Sequence, residues 1–477
     1  MKIKVITVLR GPERKKTKMY KAYITKIKDI RPIPKADRIN VGYCFGNPVI
    51  ISKDYNETDL YIYFPVDGQL SEEFCRINDL VRRKDENGNP AGGYLDPDKR
   101  NVKALKLRGE RSDGLVMPLA ALEPFGDITE LKEGDTIDVF NGVEICKKYI
   151  PRRQYAAAHQ SGGNHTRKVK IDYAPLFAEH ADTEQLAYNL GNFRPNDEVE
   201  ITLKMHGTSG RTGYLPVYKK HKRSLLDRIL RRPGTPIYEY DYVSGTRRVV
   251  LENYDGGFYG SNKFREQWHD VFKGKLQKGE TVYYEIVGFT ETGAPIMGNC
   301  SNEKVGKDFV KQYGKETIFS YGCEPGEISE DMCGMKPGQS DIYVYRMTIT
   351  NEEGFTVEYS PDFMRYRCEQ MGIKCVPAFI KLFLNEESRF YINNEDMTKG
   401  DLGEYIKIVA EQFYDGPDPI GKTHVREGVV VRILNRPKFT AFKHKNHDFK
   451  ILSGIAVEQA LESGATETMT DDILSEM

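Results

Sequence analysis

Glu200-Ile201-Thr202-Leu203-Lys204-Met205-His206-Gly207-Thr208-Ser209 reads as a strand that runs straight into a tight glycine turn. A lysine projected from a strand end beside a glycine can meet a phosphorus atom, because the missing Cβ lets the backbone approach closely. Three further elements follow in order: Val282-Tyr-Tyr-Glu285-Ile-Val-Gly288, Arg426-Glu427-Gly428-Val-Val-Val-Arg432, and Phe442-Lys443-His-Lys445. Each is a short β-rich run carrying one or two charged side chains.

The chain has 477 residues, too many for one ordinary core, so two or three domains are expected. Lys plus Arg and Asp plus Glu are both 70, so net charge gives no sign of a nucleic-acid partner. Its distribution says more. Basic residues cluster in Arg10–Lys21, Lys147–Lys170 and Lys219–Arg232, and the tail from Glu458 is acidic. Eight cysteines are scattered without a Cys-x-x-Cys pair, which reads as reduced thiols and not as a disulfide framework or zinc ribbon. No apolar run approaches a membrane span, and there is no signal peptide. A soluble, cytoplasmic, monomeric protein with no membrane partner is expected.

The first third is strands and turns. Met19–Ile27 alternates, Leu60–Pro65 follows a polar turn, and Val102–Arg108 and Gly114–Pro118 continue the pattern. Short strands with Gly and Pro turns predict a small closed barrel. Asn87–Asp98 reads as a loop tip and Gln154–Lys170 as a linker. A helical stretch is expected around Thr183–Asn189. Beyond Asn196 strands return, interleaved with helices at Gly260–Lys273, Pro361–Met371 and Lys399–Phe413. That irregular mixture predicts an α+β fold and not a doubly wound sheet. The expected organisation is residues 1–140 as a barrel module, 141–195 as a basic linker, 196–452 as the main domain, and 453–477 as an acidic tail.

Gly416-Pro-Asp-Pro-Ile-Gly421-Lys422-Thr423 matches the P-loop expression letter for letter. It fails as one on physical grounds. A P-loop cradles phosphate with successive backbone N–H groups, and Pro417 and Pro419 have none. A helical stretch precedes it and a β-run follows, the reverse of what a P-loop needs.

Taken singly, Lys204, Glu285, Glu427 and the Lys443/Lys445 pair each read as ordinary solvated or salt-bridged strand residues. Taken in this order, they are the parts of a nucleotidyl-transfer site: a lysine nucleophile, two acids on strands and a late pair of cations. Two lysines on one strand face need an anion or solvent between them.

The set resembles the covalent nucleotidyltransferases, that is, ATP-dependent DNA ligases, RNA ligases and mRNA capping enzymes. Lys204-Met-His206-Gly207-Thr208 is closest to the Lys-x-His-Gly-Thr variant of RNA ligases, whereas DNA ligases and capping enzymes carry Asp where His206 stands. Ile30-Arg-Pro-Ile-Pro-Lys-Ala-Asp-Arg-Ile39 and Tyr63-Phe-Pro-Val-Asp-Gly-Gln-Leu-Ser71 resemble the N-terminal OB module of the Deinococcus and Naegleria type RNA ligases. The similarity spans about Lys18 to Leu452. It implies an OB-type β-barrel followed by an antiparallel-sheet adenylyltransferase domain, with ATP and Mg²⁺ or Mn²⁺ as cofactors. The implied partner is an RNA end or an RNA-containing duplex end. The implied activity is joining of 3′-hydroxyl and 5′-phosphate ends.

Carried over to this sequence, the resemblance implies that Lys204 takes AMP covalently and that Glu285 binds the ribose hydroxyls. Gly207 belongs to the nucleotide-binding turn. Tyr345 would stack on adenine, the alternative being a core strand tyrosine. Glu427 would bind the metal or its water shell, and Lys443 and Lys445 the α-phosphate. Arg247 or Arg248 would handle a phosphate of the RNA strand. His206 is expected as a ligand of metal-bound water or a phosphate donor, or else as a turn residue. One departure is Leu203, where such RNA ligases often carry Glu before the nucleophile. The rival readings are a GTP-using capping guanylyltransferase and a non-catalytic RNA-binding protein. Lys219–Arg232, with Leu225, Leu226, Ile229 and Leu230 at helical spacing, reads as a basic amphipathic helix or as a solvated hairpin extension whose apolar face packs on the domain.

Overall fold

The fold was taken from a computed structural model of the whole chain. It describes residues 20–85, 88, 90–149, 173–222, 235–251, 254, 263–322, 334–385 and 402–462. The linker at 154–170 and the acidic tail beyond 462 lie outside these residues. The chain divides into two compact units, Met1–Arg152 and Arg153–Met477.

In the first unit, β1 (Ala22–Thr25), β5 (Tyr61–Pro65), β6 (Gly114–Pro118) and β7 (Thr136–Ile137) form an antiparallel sheet in the order β6–β5–β1–β7. A second sheet joins β2 (Lys28–Pro32), β3 (Ile39–Cys44) and β4 (Asn47–Ser52). Alternate residues Ala22, Ile24, Ile62, Phe64 and Leu115 point inward with Phe74, Leu122 and Ile145. Phe74 is delivered by the short helix α1 (Glu72–Ile77), whose first turn is capped by Ser71 Oγ accepting from Phe74 N–H at 3.1 Å. The Asp113 N–H donates to Pro48 O at 2.7 Å and tacks one sheet to the other. Among the described residues no ladder joins the two sheets into one closed ring, so the expected barrel is present as two packed sheets.

Two large sheets dominate the described part of the second unit. The first runs β8 (Glu184–Gln185), β18 (Thr440–Lys445), β17 (Gly428–Ile433), β9 (Glu198–Leu203), β16 (Ala378–Phe383). All its pairs are antiparallel except β8 with β18. The second runs β12 (Val250–Leu251), β11 (Thr235–Gly245), β10 (Thr208–Lys222), β13 (Glu280–Gly288), β14 (Ser340–Thr350), β15 (Thr356–Glu358), antiparallel throughout. Helices α2 (Lys263–Asp270), α3 (Pro361–Met371), α4 (Leu402–Glu411) and α5 (His447–Glu462) are added to these sheets. Thus α+β is observed. Helix α3 matches its expected span. It opens on Ser360, which caps Phe363 N–H, and closes on Gly372 in the left-handed region.

The helical stretch expected at Thr183–Asn189 is absent. Thr183–Asn189 is instead a two-residue strand pairing Gln185 with Lys443, followed by a 3-10 turn at Leu186–Tyr188. Pairing with the sheet edge outweighs the local helical period. Lys219–Lys222 extend β10, with Lys220 opposite Ile237 and Lys222 opposite Thr235. Residues 223–234, the rest of the proposed basic helix, lie outside the described set. No helix among the described residues is long and apolar enough to cross a membrane. Cys44, Cys75, Cys146, Cys300, Cys368 and Cys375 are free thiols.

Candidate active site

The chain crosses from the first sheet of the second unit to the second through Lys204-Met205-His206-Gly207. The crossing is anchored at its start by Lys204 N–H donating to Gly428 O at 3.0 Å. It is anchored at its end by the buried Arg265 of α2, whose Nη1 donates to Ser209 O at 3.0 Å. Gly207 is required by close approach, because a Cβ there would lie 2.4 Å from Ile286 O. We expect Gly207→Ala to cost about 1–3 kcal/mol of stability by overpacking. A melting curve checks the stability. In that variant Lys204 is displaced with the turn.

Strand register sorts the charges into rows. Leu203 faces Val429 across the β9–β17 ladder, which brings the end of β9 beside Glu427 and Gly428. Gly428 pairs with Lys445 and Val430 with Lys443, so both lysines share one face of β18. Lys204 Nζ lies 2.8 Å and Lys445 Nζ 2.9 Å from the same oxygen, Glu427 Oε1. His206 Nδ1 lies 3.5 Å from Glu427 Oε2. The His206 ring is held edge-on between Phe319 and Phe449. Burial by itself would raise the Glu427 carboxyl, but Lys204, Lys445 and His206 hold it well below the usual carboxylate range. Lys443 is also buried.

On the second sheet Ser209 pairs with Glu285, and Ser209 Oγ donates to Glu285 Oε2 at 3.3 Å. A bulge in the β13–β14 ladder places Tyr283 opposite Arg346 and Tyr284 opposite Val344, leaving Tyr345 as the extra residue. A bulge re-aims a side chain, and Tyr345 lines the cleft between the sheets. The cleft encloses about 830 Å³, its open mouth included. Lys204, Glu285, Tyr345 and Arg247 all line it. Arg247 is held by Asp182 Oδ1 at 2.6 Å, whereas Arg248 is half exposed and 3.4 Å from the same carboxylate. The two arginines are therefore not equivalent: only Arg247 faces the cleft.

Sequence reading missed the opposite end of this cleft. His180 packs against Tyr345 at 5.0 Å and Phe439 at 5.7 Å between ring centroids. The Arg346 and Arg432 guanidiniums both lie over Phe439. Arg346 Nη1 lies 3.2 Å from His180 Nδ1, and since arginine only donates, Nδ1 accepts and the imidazole is neutral. Burial and the charges of Arg247, Arg346, Arg432 and Arg211 hold the His180 pKa well below its ordinary value. Glu200 and Arg365, paired at 2.7 Å, also line the cleft. Glu200 and Lys204 alternate onto one strand face, a legible signal. His180 and Phe439 sit in no motif and only the fold brings them in.

The P-loop-like segment lies outside the cleft lining. Its amides are used internally. Asp418 N–H donates to His424 O and Ile420 N–H to Asp418 Oδ1, so no row of free N–H groups is presented. Helix α4 precedes it and β17 follows, as the proline argument requires.

The chain thus joins an N-terminal unit of β-sheets to a domain whose two large sheets meet at a crossing that carries a lysine. An OB-fold domain family matches residues 21–119. No curated protein sequence matches the chain. Among solved structures, a mutant Naegleria gruberi RNA ligase with AMP and Mn aligns with TM-score 0.51 at 16% identity, over 90% of this chain and 98% of that one. A second mutant of the same enzyme, also with AMP and Mn, aligns with TM-score 0.50 at 16% identity over 90% and 98%. At that identity the likeness is one of fold: the chain has the fold of an RNA ligase with an N-terminal OB module.

Proposed function

We propose that the chain is an ATP-dependent RNA ligase that joins 3′-hydroxyl and 5′-phosphate ends through a lysyl-AMP and an RNA-adenylate. The observation that carries this reading is the cluster in which Lys204 and Lys445 share one buried carboxylate oxygen at the edge of an aromatic-walled cleft. The AMP and Mn in the structures of similar fold support the same reading.

A free lysine is protonated near neutral pH and must shed a proton before it can attack. In the absence of nucleotide, Glu427 holds both ammonium groups. When the triphosphate enters, Lys445 and Lys443 meet the charge that develops on its non-bridging oxygens. The Lys204 amine then forms a P–N bond at the α-phosphorus as the bond to the pyrophosphate oxygen breaks. In this reading Glu285 takes the ribose hydroxyls, Tyr345 stacks on the base face and Arg247 takes an RNA phosphate.

The donor chemistry fits a hydrated divalent ion. Among the described residues no group of three or more carboxylate, imidazole or thiolate side chains forms a protein-only cage. Magnesium-like ions keep most of their waters and need one or two carboxylates. Glu427, with His206 beside it, would hold such an ion, which would lower the amine pKa and neutralise phosphate charge when bound.

Incubation with labelled ATP or GTP and Mg²⁺, followed by a denaturing gel, tests the proposal. Label from ATP supports a ligase. Label from GTP alone would point to a capping guanylyltransferase, and no label to an RNA-binding protein. Sealing of nicked duplexes with RNA or DNA at each end then assigns the substrate.

Tyr345→Leu should weaken ATP binding by about 1–3 kcal/mol, the usual worth of base–aromatic stacking. The measurement is the ATP concentration giving half-maximal labelling. An unchanged value would return Tyr345 to a purely packing role.

A further inference from the structure

The crossing that carries Lys204 is held at a third point. The buried His206 N–H donates to Tyr321 Oη at 2.7 Å, a contact between residues 115 apart in sequence. Tyr321 is 1% exposed and lies in no motif. Its backbone is in the left-handed region at φ 47°, a conformation that costs a bulky residue energy and persists only where its surroundings fix it. Those surroundings are explicit. The Met335 N–H donates to Tyr321 O at 2.9 Å. The Tyr321 ring meets the buried His424 ring edge-on at 4.6 Å, and Phe319 meets the same imidazole at 5.1 Å. His424 closes the P-loop-like segment, accepting on its carbonyl from Asp418 N–H at 2.8 Å. Glu427 follows three residues later.

From this geometry we infer that Tyr321 is a positioning residue for the nucleophile: its hydroxyl fixes the Lys204–Gly207 crossing, and the segment at Gly416–His424 backs its ring. The inference rests on the proposed adenylyltransfer at Lys204. The segment with the letters of a P-loop thus supports the reaction from behind the nucleophile and takes no phosphate itself. A lysine side chain has four rotatable carbons, so its amine is placed only as well as its backbone is. Attack on phosphorus is sensitive to small misplacements.

Tyr321→Phe removes the acceptor and keeps the ring. His206 N–H is then buried without its partner, and the crossing relaxes. In single-turnover labelling at saturating ATP, the rate of lysyl-AMP formation should fall roughly tenfold to hundredfold. The half-saturating ATP concentration should stay near wild type, and the melting temperature should fall by no more than the few degrees that one buried, unpaired N–H costs. Hydrogen exchange of the peptide spanning 204–209 should accelerate in the variant. A wild-type labelling rate, or a change in half-saturation with an unchanged maximal rate, overturns the inference. Should Tyr321→Phe fail to fold, 3-fluorotyrosine at 321 keeps the fold and weakens Oη as an acceptor, and an unchanged rate there overturns it equally. Failure of the wild-type chain to label with any nucleotide would instead count against the proposed function. The exchange measurement still reads the Tyr321 tie in that case.

Discussion

Lys204→Ala should abolish covalent labelling while leaving the fold intact. Lys204 lies just beyond the end of β9, and its Nζ is the only part of the residue the proposed chemistry uses. Its backbone N–H, which donates to Gly428 O, survives the substitution. The side chain is 12% exposed, so truncation opens space at the cleft and leaves the core closed. Its one cost is local. Glu427 keeps Lys445 at 2.9 Å and so is not left as an unpaired buried charge. We therefore expect a melting temperature near wild type and labelling at background. Labelling of Lys204→Ala at the wild-type level would move the nucleophile elsewhere. Addition of a pre-adenylylated nicked strand separates the steps, because its sealing does not require the lysyl bond to form again.

Glu427→Gln should have the next largest effect, on both chemistry and stability. The substitution leaves Lys204 and Lys445 facing one another in a buried site without their shared anion. Removing one partner of a buried ion pair typically costs about 3–5 kcal/mol. The loss of an electrostatic element of this kind costs about 10²–10³ in rate. The pH dependence gives the sign. The folded pKa of Glu427 is depressed, so its contribution to stability is full above the unfolded carboxyl pKa of about 4.3 and is lost as pH falls below that toward the folded value. The stability gap between wild type and Glu427→Gln should thus be widest near neutral pH and narrow in acid. Denaturant unfolding at a series of pH values measures it. A gap that stays constant down to acid pH would mean that the carboxylate is not what holds the two lysines.

The residues that meet at Glu427 were legible because each sits on a strand or one residue beyond its end, where the side-chain period still holds. Once β9, β17 and β18 pair in register, Lys204, Glu427 and Lys445 have no choice but to converge. Order along the chain carried information that no single motif did. The aromatic end of the cleft was not legible. His180 lies in an irregular stretch ahead of β8, and Phe439 follows a turn ahead of β18. Neither position has a period or a spacing to read. The helical stretch expected at Thr183–Asn189 was displaced by pairing with the edge of a sheet that local sequence does not announce. The closed barrel was an inference from short strands and their Gly and Pro turns, whereas closure depends on a ladder that neither supplies. Tyr321 was invisible because its work is done by one hydroxyl across 115 residues of sequence.

The four-residue crossing between the sheets has a mechanical consequence. For any motion that parts the two walls, the join is a pivot, and a pivot is the point of least displacement. On the proposed reaction, a nucleotide bonded to Lys204 would be moored at that pivot, and an opening of the walls that released pyrophosphate would scarcely shift its phosphorus. Attachment at a wall would instead swing the phosphorus with every opening.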